Sequence, residues 1–144
     1  MLFVTGFPKG KVHLAIAKYI PPLEEASPEF PFILVTVRKL EHYNVGSMTR
    51  RSKSLLKLYS EPILDINPQD AARLNILDGV KVKVWNERGE VYFKAKLNSE
   101  VPLGYLYTDF HFESALTNLL VSPGVDELME TPEYKVSAVN ILKV

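Results

Sequence analysis

At 144 residues the chain has the length of one ordinary domain, and its 47% hydrophobic and 24% charged residues are ordinary for a globular one. Lys plus Arg and Asp plus Glu both number 17, so the net charge is zero and no global field exists to hold a nucleic acid or an anionic membrane. The absence of cysteine excludes disulfides, thiolate nucleophiles and iron-sulfur ligation by this chain alone. Met1 to Lys11 contains Gly6, Pro8 and Gly10 rather than a basic segment followed by an apolar one, and no run approaches the roughly 18 apolar residues that span a bilayer. A cytoplasmic protein without membrane insertion is expected.

Lys11–Ile20 reads as a strand or short helix ending at Pro21-Pro22. Leu23 to Pro31 is a linker by composition, because its prolines fix φ and withhold backbone donors. The expected organisation is thus a lead and Pro-rich linker over 1–31 and one domain over 32–144. Phe32–Val37 is a continuous β-branched and aromatic run bounded by Pro31, predicting a strand buried on both faces. Ser47–Tyr59 reads as one helix, with Ser47 or Thr49 as N-cap. Ile63–Ile66 is a short strand. Asn67 then caps a helix with Pro68 in its first position and Asp70 against the dipole, running to about Leu74.

Asp78-Gly79 predicts a turn into a half-exposed strand with Val80, Val82 and Val84 on one face, and Asn86 to Gly89 turns the chain back into Val91–Leu97. Tyr105–Tyr107 is a further strand, Glu113–Val121 a helix or helical turn, Ser122–Pro132 a loop and Tyr134–Val144 the last strand. Short strands without regular βαβ alternation predict a mainly β fold with short helices, a mixed and mostly antiparallel barrel.

The neutral total hides a segregation of charge. Between Arg38 and Lys57 six cations face the single acid Glu41, a local charge of +5, whereas Leu97 to Tyr134 holds seven acids and no cation, a local charge of −7. The basic segment places Arg38-Lys39 at a strand end and Gly46 to Thr49 at a helix start, where donors, hydroxyls and dipole converge on an anion such as pyrophosphate. On these features alone a solvated basic face is the simpler reading. Neither G-x-G-x-x-G nor G-x-x-x-x-G-K-[ST] is present. His42 and His111 are able to meet in space, but no histidine spacing supports a metal site, and no G-x-S-x-G elbow supports a nucleophile. Asp126-Glu127 reads as a solvated pair, and Tyr105, Tyr107, Phe110 and Phe112 as core.

Particular strings decide further. Residues 36–51, T-V-R-K-L-E-H-Y-N-V-G-S-M-T-R-R, resemble a segment of formate dehydrogenase catalytic subunits. Three more strings follow in that family's order: I-N-P-Q-D-A-A-R-L-N-I-L-D-G at 66–79, F-H-F-E-S-A-L-T-N-L-L at 110–120 and T-P-E-Y-K-V-S-A-V at 131–139. The resemblance covers about Phe32 to Ile141, and the approach from Gly10 to Pro22 is similar as well. It identifies the chain with the C-terminal domain of the dimethyl sulfoxide reductase family of molybdenum and tungsten enzymes.

That resemblance implies a double-psi β-barrel of the aspartate decarboxylase-like kind, binding part of a bis(molybdopterin guanine dinucleotide) cofactor. It implies a first cofactor-binding segment of Arg38, His42, Tyr43, Ser47, Met48 and Thr49, completed by His111, Asn118, Tyr134 and Lys135. Arg38, His42, Asn118 and Lys135 are expected to hydrogen-bond pterin or phosphate, with Tyr43 and Tyr134 adding hydroxyls and packing surface. No catalytic or metal-ligating residue is expected here. The family's iron-sulfur cluster, metal ligand and catalytic residues lie in other domains, so a larger catalytic partner, whether a separate chain or the rest of a longer one, is implied. The isolated chain is expected to be inactive and to show an apolar patch towards the missing part. Two other readings stand beside this one: the free-standing small subunit, of this same fold, in a tungsten formylmethanofuran dehydrogenase, and a non-enzymatic double-psi recognition module of an AAA-type ATPase assembly.

Overall fold

Side chains along Phe32–Thr36 alternate between buried and half-buried, with Phe32, Leu34 and Thr36 turned to the interior, which is the pattern of a strand with one face on a core. The computed structural model describes residues 6, 14–126 and 129–144. Six strands, β1 (Phe32–Thr36), β2 (Ile63–Ile66), β3 (Lys81–Asn86), β4 (Gly89–Leu97), β5 (Tyr105–Thr108) and β6 (Ser137–Lys143), close into one barrel in the order β1-β5-β2-β4-β3-β6. The pairs β1–β5 and β2–β4 are parallel, and the other four are antiparallel. Leu34, Leu64, Ile66, Val82, Val84, Leu106 and Val139 fill the interior. Each such side chain contributes roughly 1.5–3 kcal/mol relative to its exposed state.

Several elements fall where the residue pattern puts them. β2 matches residue for residue, and β3 and β4 form the expected hairpin, with Asn86 paired to Gly89 across Glu87-Arg88. Asn67 caps α2 (Pro68–Arg73): its Oδ1 accepts the Gln69 N–H at 2.9 Å, while its Nδ2 donates to the Val101 carbonyl at 2.7 Å. Asp70 is buried, pairs with Arg73 and accepts the Gly104 N–H at 2.8 Å.

Other expectations are corrected. β1 is not buried on both faces: Ile33 and Val35 are half-buried, because in a closed barrel only one face of each strand lines the interior. The single helix over Ser47–Tyr59 is instead a 3-10 turn, Thr49–Arg51, followed by α1 (Lys53–Leu58), with Ser52 extended between them at φ −82° and ψ 113°. Neither Ser47 nor Thr49 caps it, and Ser52, the N-cap of α1, makes no side-chain cap bond. Within Glu113–Val121 the expected helix or helical turn takes the second form, the 3-10 turn Thr117–Leu120. The last strand starts at Ser137 rather than Tyr134. Tyr105 is exposed rather than core, whereas Phe112 is buried.

The Pro-rich stretch before β1 is tied to the barrel. Arg88 grips the Glu24 carboxylate through both terminal nitrogens at 2.7 and 3.1 Å, and the same carboxylate accepts the Ala138 N–H at 2.8 Å. Asn140 donates to the Glu29 carbonyl and Leu23 N–H to Glu133. Residues 14–22 form neither helix nor strand; Lys11 to His13 lie outside the described residues.

Candidate functional site

Parallel pairing decides where the site lies. Thr36 is paired with Thr108, and the ladder continues with Val37 N–H donating to the Thr108 carbonyl at 2.7 Å. The chain leaving β1 and the chain leaving β5 therefore emerge side by side at one end of the barrel. β6 runs antiparallel to β1, with Ser137 opposite Leu34, so Tyr134 and Lys135 arrive at that same end. Thr36 Oγ1 donates to the Tyr134 carbonyl at 2.7 Å, and the Lys135 ammonium donates to the Thr36 carbonyl.

The segment after β1 folds back as an irregular loop. Asn44 sits at φ +49° and Gly46 at φ +71°, both left-handed, a region that Asn and Gly enter with the least strain. Arg38 Nη1 donates to Asn44 Oδ1 at 2.5 Å and its guanidinium lies 5.8 Å from the centre of the Phe110 ring. A Cβ on Gly46 would stand 3.0 Å from the His111 carbonyl oxygen and 3.1 Å from Arg50 Nε, so the turn presses directly on the second loop.

Beneath the loop lie two histidines, their ring centres 5.6 Å apart. His42 is buried; its Nε2–H donates to the Tyr59 carbonyl at 2.8 Å, which leaves Nδ1 to accept the Thr49 hydroxyl at 3.1 Å. His111 donates from Nδ1 to the Asn44 carbonyl, leaving Nε2 a buried acceptor with no partner among the described residues. The buried Asp109 carboxylate accepts the Tyr59 hydroxyl at 2.6 Å and the His111 N–H at 3.0 Å, and its carbonyl accepts the Thr117 hydroxyl at 2.6 Å. Burial, and after it the hydrogen bond to Asp109, pushes the Tyr59 phenol far above its ordinary range. It therefore stays a donor.

Above these groups opens a groove of about 320 Å³ lined by Thr36, Arg38, Asn44, Val45, Phe110, Asn118, Tyr134 and Lys135. It adjoins a second cavity of about 210 Å³ that shares Val45, Phe110 and Asn118 and is lined also by Arg50 and His111. Among the described residues the groove lining carries two cations and no carboxylate. The basic and acidic segments meet beside it, Arg50 lying 3.7 Å from Glu113.

Of the residues expected at a site, Arg38, Asn118, Tyr134 and Lys135 share the groove, and His111 lines the adjoining cavity. Tyr43, Ser47 and Met48 stand exposed on the loop, outside both linings. His42 lies under the loop with both ring nitrogens engaged by the protein, and Thr49 bridges it to the Tyr43 N–H at 3.2 Å. Asn44, Tyr59 and Asp109 are not among the residues expected at a site, and Phe110, read as core, is instead half-buried and lines the groove. Asn44 had a local signal, lying two residues before Gly46 in a turn; the Tyr59–Asp109 bond spans 50 residues and had none. His42 and His111 do meet, but no group of three or more His, Asp or Glu arranged to hold a metal exists among the described residues. Asp126 accepts the N–H groups of Met129 and Thr131, and Glu127 lies outside the described residues.

The six-stranded barrel with two parallel pairs is a double-psi β-barrel, with an electropositive groove at the end where its crossing loops meet. The same fold occurs in acetylene hydratase from Pelobacter acetylenicus, at a TM-score of 0.66 and 15% identity over 80% of this chain and 18% of that one. Residues 32–138 match the molydopterin dinucleotide binding domain, and the chain belongs to that family. It is 39% identical over 142 residues to the F420-dependent formate dehydrogenase subunit alpha of Methanocaldococcus jannaschii, covering 99% of this chain and 21% of the relative. Against the F420-dependent formate dehydrogenase 1 subunit alpha of Methanococcus maripaludis the figures are 37% over 137 residues, 95% and 20%. The assimilatory nitrate reductase catalytic subunit of Bacillus subtilis is 32% identical over 148 residues, 99% and 21%. The chain thus spans about a fifth of the length of these relatives. No helix among the described residues is long and apolar enough to cross a membrane.

Proposed function

We propose that this chain holds and orients one part of a bis(molybdopterin guanine dinucleotide) cofactor, carrying molybdenum or tungsten, within a cytoplasmic formate-dehydrogenase-like oxidoreductase. The observation that carries the reading is the groove itself: Arg38 and Lys135 without an opposing carboxylate, at the meeting point of three segments. The residues fit such a ligand. An electropositive wall suits the pyrophosphate, the Asn118 amide both donates and accepts as a heterocycle edge requires, and the buried His111 Nε2 and Arg50 Nε, without a partner among the described residues, leave an acceptor and a donor beside it. Tyr43, Ser47 and Met48 complete the site from the exposed loop. When bound, the metal centre supplies the two-electron redox chemistry.

What this chain does is bind and orient. Arg38 is braced by Asn44, and Lys135 by the Thr36 carbonyl, so both cations are held before a ligand arrives. The larger catalytic partner is part of the proposal. Leu40, Tyr43, Val45, Met48 and Leu116, exposed in the loops at this end, form the apolar surface that such a partner covers.

The test is to assemble the chain with the larger partner and measure retained pterin fluorescence and metal content. Arg38→Ala and Lys135→Ala are each expected to lower retention about tenfold, the loss of one charge-assisted contact, with the circular dichroism of the chain unchanged. Formate oxidation by the isolated, metal-free chain, or full retention in both variants, overturns the reading.

A further inference from the structure

The hydrogen bonds beneath the groove form one connected series. It starts at the Tyr43 N–H and passes through Thr49 and His42 to the Tyr59 carbonyl; from the Tyr59 hydroxyl it reaches Asp109, and through His111 it returns to the Asn44 carbonyl. The series therefore leaves the 42–49 loop at Tyr43 and Thr49 and re-enters it at Asn44, the neighbour of Tyr43. The loop has no helix or strand before Thr49, and Tyr43, Val45 and Met48 are exposed, so apolar burial does little to hold it. Its anchorage is polar and indirect.

Tyr59 is the residue where the two halves join. It caps the C-terminus of α1 with an extended backbone at φ −144° and ψ 95°, which turns its carbonyl to His42 while its side chain crosses to Asp109. Asp109 follows β5 directly and commits both carboxylate oxygens, one to each loop's support; its own carbonyl holds Thr117, the neighbour of Asn118. No cation forms a salt bridge with that carboxylate among the described residues. It is held by hydrogen-bond donors alone, and losing one leaves an under-satisfied buried charge.

We propose that Tyr59 and Asp109 are positioning residues that lock the 42–49 loop to the 109–118 segment, so that both groove-forming segments present one preorganised surface to a nucleoside diphosphate group. The ligand rests on the proposed function; the coupling rests on the hydrogen bonds alone. Neither residue lines the groove, and both act through the histidines.

The experiment is amide hydrogen exchange on the 144-residue chain, wild type and Tyr59→Phe, with guanosine diphosphate as the binding probe followed by NMR. Tyr59→Phe keeps the packed ring and removes only the hydroxyl. Exchange at Tyr43, Gly46, Arg50 and His111 is expected to rise about tenfold, or about 1.4 kcal/mol, while β3 and β4 amides keep their rates. Guanosine diphosphate affinity falls about fivefold in the variant. Asp109→Asn, which keeps one acceptor oxygen, is expected to release the same amides. Faster exchange spread evenly over the barrel shows a merely structural role and overturns the inference, as does unchanged exchange at the four loop amides. If guanosine diphosphate fails to bind the wild-type chain, the cofactor reading fails while the exchange pattern still decides the coupling.

Discussion

His42 and His111 show how one residue type serves two ends through its tautomer. His42 carries its proton on Nε2, facing a carbonyl, and His111 carries it on Nδ1, facing another, so the unprotonated nitrogens point to a hydroxyl in the first case and to no partner among the described residues in the second. Tyr59 between them carries a pH dependence. Its phenol ionises in the unfolded chain near pH ~10 but is held protonated in the folded one, so its contribution is complete below that pH and is lost as pH rises beyond it. Urea denaturation at pH 8 and pH 11 should show a stability loss that is smaller in Tyr59→Phe than in wild type; equal losses contradict the assignment. Thr49 marks the limit of local reading at this scale. Its hydroxyl has the chemistry of an N-cap, but it is engaged by His42 and the Tyr43 N–H instead.

Elements were legible where one short segment contains its own reason. Asn67, Pro68 and Asp70 specify the start of α2 within four residues, and the alternation of Val80, Val82 and Val84 specifies a strand face before any partner is known. The helix expected over Ser47–Tyr59 is interrupted at the extended Ser52: Thr49 is engaged by His42 and the Tyr43 N–H, while Gly46 and Arg50 stand against His111 and Glu113, more than sixty residues away. In the same way four ordered strings were enough for the family, and of the residues expected from them Arg38, Asn118, Tyr134 and Lys135 line the groove while Tyr43, Ser47 and Met48 do not; the buried series beneath was invisible. Gly46→Ala tests the loop as an element. The positive φ and the 3.0 Å approach to the His111 carbonyl are expected to cost about 1–3 kcal/mol, measured by urea unfolding, and to weaken the probe's binding; a neutral change means the loop yields freely.

At the scale of the molecule, the Pro-rich stretch before β1 is fastened to the barrel. The Glu24–Arg88 pair, with the Ala138 N–H on the same carboxylate, fastens residues 23–30 across the β3–β4 hairpin and β6. Both side chains are partly buried, so removing the grip should cost about 1 kcal/mol. Arg88→Ala is expected to accelerate cleavage at Glu24 and Glu25 by a Glu-specific protease several-fold, with the barrel left intact; an unchanged rate means the strap is held elsewhere.

The order β1-β5-β2-β4-β3-β6 also sets how the chain must reach this state. Apart from the β3–β4 hairpin, no two strands adjacent in sequence are adjacent in the barrel, and β1 waits for β6, about a hundred residues later, to complete its second ladder. Loop-closure entropy is therefore lost before most pairings can offset it, which places folding in the slow, milliseconds-to-seconds range. The same threading brings three distant segments to one groove, so its lining is complete only once β6, the last strand, has paired with β1.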